Sequence, residues 1–264
     1  MSTNLDALPT AESFDEERPP TSLMFPEVHN AVRLTRAQTL YLPLRRLLDF
    51  SLALVLTLIA APIVLLAALV VKLTSRGPAF YTQIRTGRNG ATFTIYKLRS
   101  MVDKCESLTG PRWTIPGDPR VTPIGWLLRR SHIDELPQLL NVLLGQMSLI
   151  GPRPERPEFV AELAEALPDY QTRHSVQPGI TGLAQVQLPP DTDLDSVRRK
   201  LVCDLYYLEH MSLWLDARIL IATALHMLGM SFERLHQIGI VPRPTESRLP
   251  ATQNESLPRV KQAA

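Results

Sequence analysis

The chain has 264 residues, 45% of them hydrophobic, enough to bury one sizeable core but short for two full domains. Its 28 Lys and Arg against 26 Asp and Glu leave a net charge of +2 with no long basic block, so no nucleic acid is expected as a partner. Two cysteines, Cys105 and Cys203, lie far apart and outside any CxxC pattern, which argues against a disulfide framework or a thiolate zinc site and suits a reducing cytosolic face.

Residues 1–40 are polar, acidic at first and broken by Pro9, Pro19, Pro20 and Pro26, which predicts a disordered tail and not a signal peptide. Residues 41–76 are the expected membrane anchor. Its centre, FSLALVLTLIAAPIVLLAALVV from Phe50 to Val71, is 22 residues without a charge. As a helix it reaches about 30 Å, the thickness of a bilayer's hydrocarbon layer. Pro62, near the middle, removes a backbone hydrogen bond and predicts a kink. Arg33, Arg36, Arg45 and Arg46 precede the segment and Lys72, Arg76, Arg85 and Arg88 follow it, without the asymmetry of a single span. A helix that dips in, bends at Pro62 and returns to the same surface is therefore expected, with a bent span as the alternative.

Residues 77–188 read as a compact catalytic domain. AFYTQI and ATFTIYKL flank the turn-like GRNG and predict a small β-hairpin with Lys97 and Arg99 at its end. DPRVTPIGWLLRRSHIDELPQLLNVLLGQMSLIG reads as a loop, a short helix and a second helix from about Glu135 to Leu144, closed by Gly145. ERPEFVAELAEALPDYQTRH predicts a third helix, and PGITGLAQVQ a turn and short strand. Residues 189–240 form a helical extension, SVRRKLVCDLYYLEH and SLWLDARILIATALHMLGM, packed on the core or lying at the membrane interface. Asp216, Arg218 and His226 interrupt its second run and argue against another span. Residues 241–264, with Pro242, Pro244, Pro250 and Pro258, predict a second disordered tail. The fold class is α+β, mainly helical: a kinked, re-entrant N-terminal membrane helix, then a cytosolic catalytic domain with a small hairpin.

Asp134, Glu135, Leu136 and Pro137 stand at a helix start, because a proline is tolerated where its missing N–H has no intrahelical partner. That places Asp134 near the N-cap, where exposed N–H groups and the positive dipole end favour an ionised carboxylate and attract phosphate. Carboxylates at helix starts are also ordinary capping residues. Their company points to chemistry: Arg129 and Arg130 arrive just upstream, and GPRPERPE holds Arg153 and Arg156 on a proline-stiffened strip suited to bidentate phosphate contact. His132 reads as a neutral neighbour and Met101 as packing.

The order QIRTGRNGATFTIYKLRSM, DPRVTPIGWLLRRSHIDELPQLLNVLLGQMSLIGPRPERPEF and PGITGLAQV resembles the bacterial sugar transferase family, the monotopic phosphoglycosyl transferases. The similarity runs from about Arg45 to Gln187 and more loosely through DLYYLEHMSLWLDARI. It implies transfer of a sugar 1-phosphate from a UDP-sugar to undecaprenyl phosphate, initiating exopolysaccharide or another surface glycan. The implied setting is the bacterial inner membrane with the catalytic domain facing the cytosol, membrane lipid as a partner, and Mg²⁺ as cofactor.

By the same resemblance Asp134 is the nucleophile that attacks the β-phosphorus, releasing UMP and leaving a phosphosugar aspartyl ester for the polyprenyl phosphate to attack. Glu135 assists as metal ligand or proton acceptor, Asp134 and Glu135 together hold Mg²⁺, and Lys97, Arg99, Arg129 and Arg153 contact phosphate and nucleotide. One departure concerns the bend, where similar anchors carry Ser-Pro and this chain has Ala61-Pro62, so no serine hydroxyl back-bonds to the helix. A membrane-bound phosphohydrolase of lipid phosphate or nucleotide-sugar, and a non-catalytic membrane scaffold, stay open as alternatives, as does a homodimer.

Overall fold

A computed structural model describes residues 35–107, 110, 112–115 and 117–244. Most of both predicted tails lies outside the described residues. The first element, α1, runs from Arg36 to Thr74, so it begins inside the stretch expected to be tail. A capping box starts it: Gln38 N–H donates to Thr35 Oγ1 at 3.2 Å, and Thr35 N–H donates to Gln38 Oε1 at 2.9 Å. The 39 residues continue through Pro43 and Pro62 without a break. Buried positions Gln38, Arg45, Asp49, Ala53, Ala60, Ala68 and Val71 form one narrow stripe against the rest of the fold. Around it Leu47, Leu58, Leu65 and Leu73 are exposed. Only 17% of the most apolar window of α1 is buried, whereas a soluble core helix would be mostly covered. Water is a poor solvent for such a surface, since each large apolar side chain left wet forgoes roughly 1.5–3 kcal/mol.

The predicted hairpin is present. Strands β1 (Phe80–Thr86) and β2 (Thr92–Leu98) pair antiparallel, with Tyr81 opposite Lys97 and Arg85 opposite Phe93. Their turn contains Asn89 at φ 55°. Helix α2 spans Pro123–Arg130 behind the cap Thr122. Next comes a tight 3₁₀ turn, Ile133–Gln138, and then α3, Leu139–Leu143. Gly145, at φ +79°, closes α3 as expected, and Arg46 of α1 donates to the last carbonyls, Val142 O at 2.6 Å and Leu143 O at 3.1 Å.

A second, parallel sheet pairs β3 (Ser148–Ile150) with β4 (Gly179–Thr181). β4 matches the short strand expected there, whereas β3 has no counterpart in the sequence reading. The strands approach so closely that a Cβ on Gly179 would lie 2.1 Å from Gly151 N. The expected third helix is shorter than its sequence run: α4, Pro157–Ala166, stops before Asp169 in the left-handed region, and Tyr170–Ser175 forms a 3₁₀ turn. Helices α5 (Leu194–His210), α6 (Leu213–Met227) and α7 (Phe232–Gln237) are the last elements among the described residues. Tyr207, Leu208, Leu215 and Ile219 from α5 and α6 join Ala53, Phe93, Ile95, Val142 and Leu149 in one core cluster. Val241, inside the second predicted tail, is buried there too.

Candidate active site

The register of the hairpin aims Lys97 inward. Phe93, Ile95 and Lys97 alternate on one face of β2; the first two fill the core and the third reaches its edge. Asn141 of α3 locks this face over the 3₁₀ turn: its Nδ2 donates to Thr94 O at 2.7 Å and its Oδ1 accepts from Tyr96 N at 3.2 Å. Lys97 Nζ thereby lies 2.8 Å from Glu135 Oε1. From the opposite side Arg153 grips the same carboxylate, Nη2 to Oε1 at 2.5 Å and Nη1 to Oε2 at 3.3 Å. Arg153 follows directly from β3 through Gly151 and Pro152, so the unforeseen strand is what brings it to the site.

Asp134 has a different environment. Its residue is only 6% exposed, and among the described residues its carboxylate takes part in no hydrogen bond or ion pair. Helical geometry starts at Ile133 behind His132 in the left-handed region, so Asp134 sits inside a 3₁₀ turn and does not cap an α-helix. The expectation that a helix terminus would favour its ionised form is not met: burial, reinforced by Glu135, raises its pKa above the ordinary value against Lys97, Arg129 and Arg153. Burial also pushes Glu135 upward, but Arg153 and Lys97 outweigh it and hold this carboxyl well below its usual range. Lys97 is lowered, by burial first, with Glu135 opposing. Two adjacent carboxylates thus have opposite tendencies: one clamped and ionised, the other unpaired and more basic.

The other expected contacts divide. Among the described residues Arg129 commits only its Nε, to Ser100 Oγ at 2.8 Å, and it acts electrostatically on Asp134. Arg99 does not join the cluster. It lies past the end of β2 and caps α1, its Nη2 donating to Ser75 O at 3.0 Å and Ser75 Oγ at 2.8 Å, with a further bond to Arg76 O. The carbonyls at a helix C-terminus outcompete any role at the carboxylates. Arg156 is engaged by Glu106 and Glu158, and exposed Arg130 lies 5.3 Å over the Trp126 ring.

Arg85 was read only as a flanking charge, yet it is electrostatically close to Lys97 and Arg153 and donates to Pro154 O at 3.1 Å and Glu155 Oε2 at 3.3 Å. The signal was available in the hairpin, because pairing with Phe93 puts Arg85 on the face that carries Lys97. Among the described residues no group of three or more His, Cys, Asp or Glu converges. Mg²⁺ is commonly held by one or two carboxylates together with substrate phosphates and water. The pair therefore fits such an ion, with Asp134 as the open ligand and Glu135 available once Lys97 and Arg153 release it.

A family model described as bacterial sugar transferase matches residues 40–230. An undecaprenyl-phosphate glucose phosphotransferase of Komagataeibacter xylinus is 45% identical over 184 residues, 68% of this chain and 35% of that protein. A UDP-N-acetylgalactosamine-undecaprenyl-phosphate N-acetylgalactosaminephosphotransferase of Aeromonas hydrophila is 42% identical over 184 residues, 70% of this chain and 43% of that protein. An exopolysaccharide production protein of Rhizobium leguminosarum bv. phaseoli is 42% identical over 193 residues, 71% of this chain and 96% of that protein. The matched region thus spans less than half the length of the first two relatives and nearly all of the third.

Proposed function

The chain belongs to the bacterial sugar transferase family, and from that premise we propose that it transfers a sugar 1-phosphate from a UDP-sugar to undecaprenyl phosphate through a covalent intermediate on Asp134. The observation that carries this reading is the unpaired, buried Asp134 carboxylate beside a Glu135 held by Lys97 and Arg153. An Asp134 oxygen attacks the β-phosphorus; the bond from that phosphorus to the bridging oxygen breaks and UMP departs with the electron pair. A phosphate oxygen of the lipid then attacks the same phosphorus and Asp134 leaves as carboxylate. The raised basicity of Asp134 strengthens it as a nucleophile.

Arg153, Lys97 and Arg129 meet the charge of the donor phosphates. Glu135 positions the first two before the donor arrives and releases them to it afterwards. Bound by Asp134 and the donor, Mg²⁺ would neutralise phosphate charge that otherwise repels an anionic nucleophile.

The lipid acceptor fits the anchor, and the reading includes a re-entrant helix at the cytosolic face of the inner membrane. Supporting it, both ends of α1 are tied to the same body: Gln38 Nε2 donates to Leu208 O and Glu209 O near the start, and Arg99 binds Ser75 O beyond the end. A helix that crossed the bilayer would carry one end away from a domain confined to one side. Pro62 provides the place to bend.

The test is incubation of the purified chain with a panel of UDP-sugars and undecaprenyl phosphate, reading UMP and labelled lipid. The reading expects both products with at least one donor. Sugar phosphate released without lipid acceptor would favour a phosphohydrolase, and folded, membrane-bound protein inert with every donor would favour a scaffold.

A further inference from the structure

Arg153 stands on a segment that cannot hold its own shape. Pro152 and Pro154 carry no N–H and disfavour helical geometry in the residues before them, so 152–155 can close neither a helix nor a ladder by itself. Its four carbonyls are instead taken one after another by donors from elsewhere in the fold. Gly179 N of β4 donates to Pro152 O at 2.9 Å, Arg173 Nη2 to Arg153 O at 2.9 Å, Arg85 Nη1 to Pro154 O at 3.1 Å and Thr86 N to Glu155 O at 2.8 Å. The backbone is thus fixed at every step, while the Arg153 side chain is 40% exposed and reaches across to Glu135.

The donor at Arg153 itself is a buried cation. Arg173, in the 3₁₀ turn Tyr170–Ser175, is only 7% exposed and commits all three of its nitrogens. Nε donates to Asp204 Oδ2 at 3.0 Å and Nη1 to Tyr170 Oη at 2.9 Å, while Nη2 lies 2.7 Å from Asp204 Oδ2 and also donates to Arg153 O. Asp204 and Tyr170 are buried as well. A buried ion pair adds little stability that packed apolar side chains would not, since desolvation offsets much of the attraction. What an apolar side chain could not do is donate to the Arg153 carbonyl. A planar guanidinium gripped by two side chains gives that bond a single direction. Among the described residues Arg173 bonds to neither Asp134 nor Glu135.

Resting on the transferase reading, we propose that Arg173 is a positioning residue: through the Arg153 carbonyl it sets where the Arg153 guanidinium meets the donor phosphates. Misplacing a substrate-binding group by about 1 Å costs up to about a hundredfold in rate, so a small shift of the carbonyl, carried to the end of a long side chain, is enough to matter. Arg173→Lys keeps the charge beside Asp204 but offers a single nitrogen on a flexible stem, which cannot serve Asp204, Tyr170 and Arg153 O in one geometry.

The test measures kcat/KM for transfer in lipid nanodiscs with the full chain, Arg173→Lys, Arg153→Ala and the double variant, each shown to melt cooperatively. Arg173→Lys lowers kcat/KM about tenfold in the parent and has no further effect once Arg153→Ala has removed the group it positions. A merely structural Arg173 would cost the same factor in both backgrounds. That result, or a folded Arg173→Lys chain with parental kcat/KM, overturns the proposal. Should Arg173→Lys fail to fold, Tyr170→Phe, which removes only the partner of Nη1, runs the same cycle with an expected loss of about threefold. UDP affinity measured by calorimetry repeats the cycle without turnover. Coupling there with no transfer from any donor defeats the transferase reading and keeps the positioning. Active transfer with factors that simply multiply does the reverse.

Discussion

Two buried polar clusters, one where α1 enters the domain and one around Asp134 and Glu135, differ in one respect. Where α1 enters the domain, Asp216 accepts from Tyr207 at 2.8 Å and from Tyr41 at 2.5 Å, with Arg45 Nε at 3.4 Å. Asp49 beside it accepts from Ser148 Oγ at 2.6 Å and Leu149 N at 3.2 Å. Every carboxylate oxygen there has a donor. At the other cluster Glu135 is equally well served, but among the described residues Asp134 has no donor. Burial raises Asp216 as it raises Asp134, so the direction of the shift does not tell the clusters apart. The donors do: carboxylates whose oxygens are all paired fix α1 to the fold, whereas one without a donor stays available.

Replacing Asp134 should have the largest effect on activity and the least harmful effect on the fold. Asp134→Asn is expected to lower transfer by about a thousandfold or more. Because the folded pKa of Asp134 lies above its unfolded value, ionisation destabilises the fold as pH rises through the ordinary carboxylate range. The variant should therefore melt about 2–4 °C higher at neutral pH, and the gain should vanish below about pH 3; thermal melts at both values check this.

Arg45→Met should do the opposite. It leaves buried Asp216 short of its cation and removes the bonds to Ser148 Oγ and Ile150 O, costing about 3–5 kcal/mol in denaturant unfolding.

Glu135→Gln sharpens the comparison, because it leaves Lys97 and Arg153 without their carboxylate. A loss of about 1–3 kcal/mol is expected at neutral pH. Glu135 is held below its unfolded value, so its stabilisation is full above about pH 4.5 and is lost as pH falls through the folded pKa. The difference between variant and parent should accordingly shrink in acid. The smallest effect is expected from Arg153→Lys, which keeps the charge but not the two-pronged grip on Glu135. It should reduce kcat/KM about tenfold with little change in melting temperature.

Much of this arrangement was legible in the sequence where a pattern was long or a residue had few options. The anchor follows from a long run without charge, the hairpin from β-branched and aromatic runs around GRNG, the helices α5 and α6 from their long helical stretches, and Gly145 closes α3 where a positive φ is needed. Strand β3 was not legible, because three residues carry no period and Ser148–Ile150 becomes a strand only by pairing with Gly179–Thr181. The proline argument located Asp134 within a residue or two but missed the 3₁₀ geometry and the burial that reverses the expected shift. Arg99, a phosphate contact by the resemblance, stands past Leu98 where the strand ends, and the open carbonyls at the end of α1 draw it away.

The covalent step is tested most directly by mass spectrometry of the chain quenched after mixing with a UDP-sugar in the absence of undecaprenyl phosphate. The account predicts stoichiometric UMP and a sugar-phosphate adduct on the peptide that contains Asp134, removed when the lipid is added. UMP that appears only with the lipid present, and no adduct on any peptide of an active chain, would contradict it.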